Sequence, residues 1–130
     1  MRAEHWPETL AAFIEARRTT AFEWGVTDCT LFAADAVEAI TGVDPAKQYR
    51  GKYADQKGAL RLIKDAGSLS ALVPLASISL PFAGRGDVVL VEMDTGEALG
   101  VHIGRTIAAQ GPDGLVFLPV ASVVAAWRTE

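Results

Sequence analysis

Apolar residues recur at helical spacing through the first half of the chain, then cluster in short, dense runs in the second. Leu10, Phe13, Ile14 and Arg17 fall on one helical face after Trp6-Pro7, where proline suits a first turn. Cys29, Phe32, Ala33, Ala36, Val37 and Ile40 repeat that spacing up to Gly42, a helix-ending residue. Asp55 is placed to cap a third helix running to Ala66, with Ala59, Leu62, Ile63 and Ala66 inward and Gly67 at its end. Val43 to Tyr53 reads as a loop, with Asp44-Pro45 favouring a turn. Ser68 to Leu75 is expected to add a short helical turn before Pro74 and Pro81 impose a crossing loop. Strands are predicted over Arg85–Met93, Ala98–Ile103, Arg105–Ala109 and Leu115–Leu118. Asp94-Thr95-Gly96-Glu97 and Gly111-Pro112-Asp113-Gly114 supply turns between them. Val120 to Trp127 is expected to close the chain as a short helix. The pattern implies an α+β domain over residues 1–130, a helical N-terminal half packed on a small antiparallel sheet.

Composition narrows the function classes. Half of the 130 residues are hydrophobic and 22% are charged, enough apolar content for a real core. A formal charge of −4 leaves no basic footprint for nucleic acid. Arg17-Arg18, Lys47, Arg50 and Lys52 are interspersed with acidic and apolar residues, as on a solvated surface. No apolar stretch approaches the roughly 20 residues that span a bilayer, so membrane insertion is not expected. Met1 to Leu10 lacks an apolar signal core, so the expectation is synthesis in the cytoplasm without general secretory export. No Cys, His and carboxylate cluster has metal-ligand spacing, so neither metal nor cofactor is expected.

Candidate chemistry centres on Cys29, the only cysteine. It follows Phe22-Glu23-Trp24-Gly25-Val26-Thr27-Asp28 and falls in the first turn of its helix. Free backbone N–H groups and the positive end of the helix dipole are expected to favour thiolate there, and thiolate is the nucleophile. The competing reading is a small buried hydrophobe. Asp28 is first of all a helix cap that also stands beside the thiol. Trp24 either flanks a substrate groove or joins the core. Gly25 permits the backbone turn into the helix.

Aromatic-x-Trp-Gly-x-x-Asp-Cys before an amphipathic helix resembles the nucleophile segment of the NlpC-type cell-wall cysteine peptidases. Gly86-Asp87-Val88-Val89-Leu90 resembles the Gly-Asp-hydrophobic strand that follows the helical half in that family. Ala98-Leu99-Gly100-Val101-His102-Ile103-Gly104 resembles the next strand. The resemblance covers Phe22 to Gly104 and implies a papain-like fold that cleaves peptide bonds in peptidoglycan stems. The layout is most similar to a compact subgroup found among phage and prophage tail genes. On this register the family's catalytic histidine falls on Ala98. The third polar residue falls near Ala108 and Ala109. His102 is the nearest imidazole and shares strand parity with Ala98. Four residues of strand nevertheless span roughly 13 Å, too far for a base that must act within about 3 Å. His5, near the N-terminus, reads as a solvated surface residue.

Two functions follow. The first is a component of the virion tail, at the tail tip or its assembly site, with phage tail proteins as partners and chemistry lost. The second is an active thiol hydrolase that cuts peptidoglycan stem peptides, with Cys29 as nucleophile and His102 or a partner's residue as base. A cytoplasmic binding module unrelated to phage is a third option. The register also predicts that Ala98 and Cys29 face each other across a small apolar gap in place of a catalytic pair.

Overall fold

The computed structural model describes residues 1–130 as three helices and a six-stranded antiparallel sheet. The helices are α1 (Trp6–Arg17), α2 (Cys29–Thr41) and α3 (Gln56–Ala66). The strands are β1 (Ser77–Ile78), β2 (Val88–Met93), β3 (Gly96–His102), β4 (Thr106–Gln110), β5 (Leu115–Pro119) and β6 (Val123–Trp127). They lie in the order β1-β6-β2-β3-β4-β5, with every neighbouring pair antiparallel.

Helix α2 is the centre of the packing. Phe32, Ala33, Ala36, Val37 and Ile40 are buried against Val88, Leu90, Leu99, Val101 and Ala108 of the sheet. These sheet residues share one face because the register sets Val88 opposite Val101 and Leu90 opposite Leu99. Val89, Val91, Ala98, Ile107 and Ala126 form a separate apolar cluster from the alternate positions. Asp28 caps the start of α2 and Gly42 ends it at φ 81°, a left-handed value that glycine adopts without strain.

The expected closing helix is a strand. Residues 123–127 pair with β2 and β1, and only Val120–Ser122 make a short 3-10 turn. Val-Val-Ala-Ala-Trp is apolar enough to satisfy either period, and the open edge of β2 decides for the strand. A bulge beside Leu90 and Val91 lets Val124 project outward within this pairing. The crossing loop also carries β1, whose two residues pair with Trp127 and Ala126.

Two of the cations read as solvated are structural. Arg17 donates to Asp35 at 2.7 Å, and Arg50 donates to Asp35 at 2.8 Å and to Asp44 at 2.8 Å. The Arg17 guanidinium also lies over the rings of Phe13 and Phe32. Just before β2, Asp87, 1% exposed, accepts from Arg2, from Gly84 N–H and from Thr129 N–H. That buried carboxylate ties both chain ends to the start of β2. Its role was concealed in the sequence by its resemblance to a family strand motif.

Candidate functional site

Asp28 builds the site before Cys29 does anything. Its carboxylate accepts from the Leu31 N–H at 3.0 Å, the Gly25 N–H at 2.9 Å and the Tyr53 hydroxyl at 2.5 Å. The first bond caps α2, the second closes the Trp24-Gly25 turn, and the third anchors the loop that leads to α3. Gly25 takes φ 78°, and a side chain there would strike the Tyr53 carbonyl oxygen. Asp28 therefore acts as the cap the sequence suggested, and it positions three segments at once. Burial and the bond to Asp28 hold the Tyr53 hydroxyl far above its ordinary range, so it remains a donor.

Cys29 is half-buried at the first position of α2, the longest helix. It sits where β3 and β4 part, because their pairing covers only Gly100–His102 against Ala109–Ile107. Met93 and Gly96 flank the two-residue β2–β3 turn, which places Leu99 and Leu90 in a pair whose peptide groups point away from each other. The Leu99 backbone is thereby free to meet the sulfur beyond the last β3–β4 pair. Burial raises the Cys29 thiol above its ordinary value of 9.0, and the Asp28 carboxylate pushes the same way. Hydrogen bonding from the Leu99 backbone and from Thr30 opposes this but does not reverse it. The direction is opposite to the one expected from the helix start. Desolvation by burial, with the Asp28 carboxylate, favours the thiol over the thiolate.

Two hollows meet at Cys29. One, of about 200 Å³, runs toward α3 between Tyr53, Leu60 and Ile63. The other, of about 590 Å³, runs toward Phe22, Met93, Ala98 and Gln110. Trp24, Cys29, Gln56, Thr95 and Glu97 line both, so the hollows form one cleft with the thiol at its midpoint. Ala98 shares this cleft with Cys29 and belongs to the apolar cluster against which Cys29 packs. The hollow beside them is lined mainly by apolar surface, as expected, but it is wider than a small gap. Trp24 is half-exposed, packs edge-on against Phe22 at 4.7 Å and flanks the cleft.

His102 lines neither hollow. It lies at the far end of β3 opposite Ile107, and its Nδ1 accepts the Gly104 N–H at 3.0 Å. That bond fixes the Nε2–H tautomer of a neutral ring. It therefore does not share the cleft with Cys29, as the candidate-base reading requires. His5 is exposed on the N-terminal turn. Burial lowers the His102 pKa below its ordinary 6.5, and Asp87 opposes the shift without cancelling it. The unfolded chain then binds more protons than the folded chain just below pH 6.5, so stability is full above that value and declines as pH falls through it. Urea midpoints at pH 7.5 and 5.5 are expected to show this decline, and His102→Gln is expected to reduce it.

The sequence did not point to Gln110. It ends β4, directly after Ala108 and Ala109, and it is 4% exposed. Its Nε2 donates to the carbonyls of Thr20 at 2.7 Å and Gly111 at 2.9 Å, which fixes the orientation of the amide. Its Oε1 is buried without a partner. The legible signal was a single polar residue closing an otherwise apolar strand.

A family model spanning residues 1–129 matches this whole arrangement. The chain belongs to DUF6950, a domain-of-unknown-function family. Among curated proteins none matches it. In this DUF6950 domain no three His, Cys, Asp or Glu side chains gather as a metal site, and no helix is long and apolar enough to cross a membrane.

Proposed function

We propose that this DUF6950 domain is an NlpC-like, papain-like component of a phage or prophage tail, at the tip or its assembly site, in which binding has been kept and peptide cleavage lost. The observation that carries this reading is the content of the cleft. A cysteine stands at the start of the central helix and an alanine stands at the position of the family's base. No imidazole lines the space between them. A thiol held protonated by burial, with no group to take its proton, lacks the nucleophile–base pairing that covalent catalysis requires. The tail assignment is supported by the order of the three motifs in so short a chain. Phage tail proteins are the partners in this reading, and the virion tail is the location.

The competing reading keeps Cys29 as the nucleophile of a peptidoglycan stem hydrolase, with a partner protein supplying the base. It draws support from the open cleft that leads to the sulfur from two sides. One experiment separates the two. Purified protein is incubated with muropeptides while Cys29→Ser is introduced into the phage. The expected result is no turnover and unchanged particle assembly, since the exchange alters little volume. Cleavage by the wild-type protein that is lost in Cys29→Ser would establish the hydrolase.

A further inference from the structure

We propose that the Cys29 cleft docks a basic peptide segment of a partner protein, with a Lys or Arg side chain seated between Glu97 and the Trp24 ring. This rests on reading the cleft as a binding site and names what it binds. The first observation is charge. Neither hollow is lined by a Lys, Arg or His, while Glu97 lines both. An anionic ligand would find no cation there, whereas a cationic one meets a carboxylate at the mouth.

The second observation is register. Glu97 lies directly opposite Glu92 in the β2–β3 pairing, and both are exposed. Like charges facing across a strand pair are unfavourable, and neither carboxylate has an ion-pair partner within the chain. A bound cation relieves that repulsion. The third observation is independent of charge. Gln110 is almost wholly buried, and its Oε1 has no donor although its Nε2 is fully engaged. Gln110 lines the larger hollow, and a small turn of its amide lets a peptide N–H or an ammonium there provide the missing donor. Trp24, half-exposed and packed against Phe22, lines the same two hollows as Glu97, so a cation held by Glu97 is within the cleft that carries an aromatic ring. Met93 and Ala98 in the larger hollow, with Leu60 and Ile63 in the smaller, give apolar seats on either side. The fitting segment is therefore a cationic residue flanked by apolar ones.

The test uses the full chain, labelled with nitrogen-15, and two probes, acetyl-Leu-Lys-Leu-amide and acetyl-Leu-Glu-Leu-amide, with butylammonium as a control. The lysine peptide is expected to shift the Trp24 indole and Gln110 side-chain amide resonances saturably. Glu97→Gln is expected to weaken it about fivefold, the scale of a partly exposed ion pair. Raising the salt to about 1 M, where screening acts within roughly 3 Å, is expected to weaken it similarly. The proposal is overturned if the glutamate peptide binds as well, if Glu97→Gln changes nothing, or if butylammonium matches the peptide. Cleavage of a probe, visible as new masses and lost in Cys29→Ser, would instead overturn the non-catalytic reading.

Discussion

Asp28→Ala is expected to lower the unfolding free energy by about 3 kcal/mol, combining a lost helix cap of roughly 1 kcal/mol with buried donors left unpaired at roughly 1–3 kcal/mol. The carboxylate is 2% exposed and receives the N–H groups of Leu31 and Gly25 and the hydroxyl of Tyr53. Alanine supplies none of those acceptors. Asp28→Asn keeps one acceptor oxygen and is expected to lose clearly less. Urea denaturation followed by tryptophan fluorescence reads both. Equal stability of Asp28→Ala and the wild type would mean that the cap and the loop are held by packing alone. Because Asp28 joins the Trp24 turn, the start of α2 and the approach to α3, the variant is also expected to raise the reactivity of Cys29 by loosening what encloses it.

Phe32→Ala is expected to cost about 4 kcal/mol, within the range for removing a fully enclosed aromatic ring. Phe32 has no exposed surface, stacks on Phe13 at 5.6 Å between ring centres and lies under the Arg17 guanidinium. Two of the Arg17 nitrogens are buried without hydrogen-bond partners, so the ring faces are their main company. Deleting the ring leaves a cavity and removes part of that contact together. The same denaturation measurement applies, and a loss below about 1 kcal/mol would show that the α1–α2 contact closes over the gap.

What the chain reveals in sequence and what it withholds divide along a physical line. Helix α2 was legible end to end because its apolar spacing, its Asp cap and its Gly stop are local signals. Helix α3 was legible for the same reason, with Asp55 accepting from the Gly58 N–H as a cap should. Strand β6 was misread because five apolar residues fit both periods, and only the free edge of β2 chooses between them. Strand β1 is too short to announce itself, and it exists because β6 offers it an edge. The position of Cys29 could be read, but its protonation could not. The helix start is a local feature, whereas desolvation sums over everything packed around the sulfur, and even the opposing hydrogen bond comes from Leu99, on a strand about seventy residues away. Gln110 was passed over because a lone glutamine carries no motif, and its unpaired oxygen becomes visible only when Thr20 and Gly111 are seen to occupy its nitrogen. Arg17 and Arg50 looked solvated because their shared partner Asp35 lies on another element.

The claim that Cys29 has no proton acceptor is tested most directly by titrating its reactivity. The chain has one cysteine, so the rate of alkylation by iodoacetamide as a function of pH reports that sulfur alone. The expected profile is negligible reaction at pH 7 and a rate still climbing above pH 9.0, the ordinary thiol value from which burial and Asp28 displace it upward. His102→Gln is expected to leave the profile unchanged. A plateau reached at or below neutral pH, the mark of a thiolate paired with a cationic base, would contradict the account.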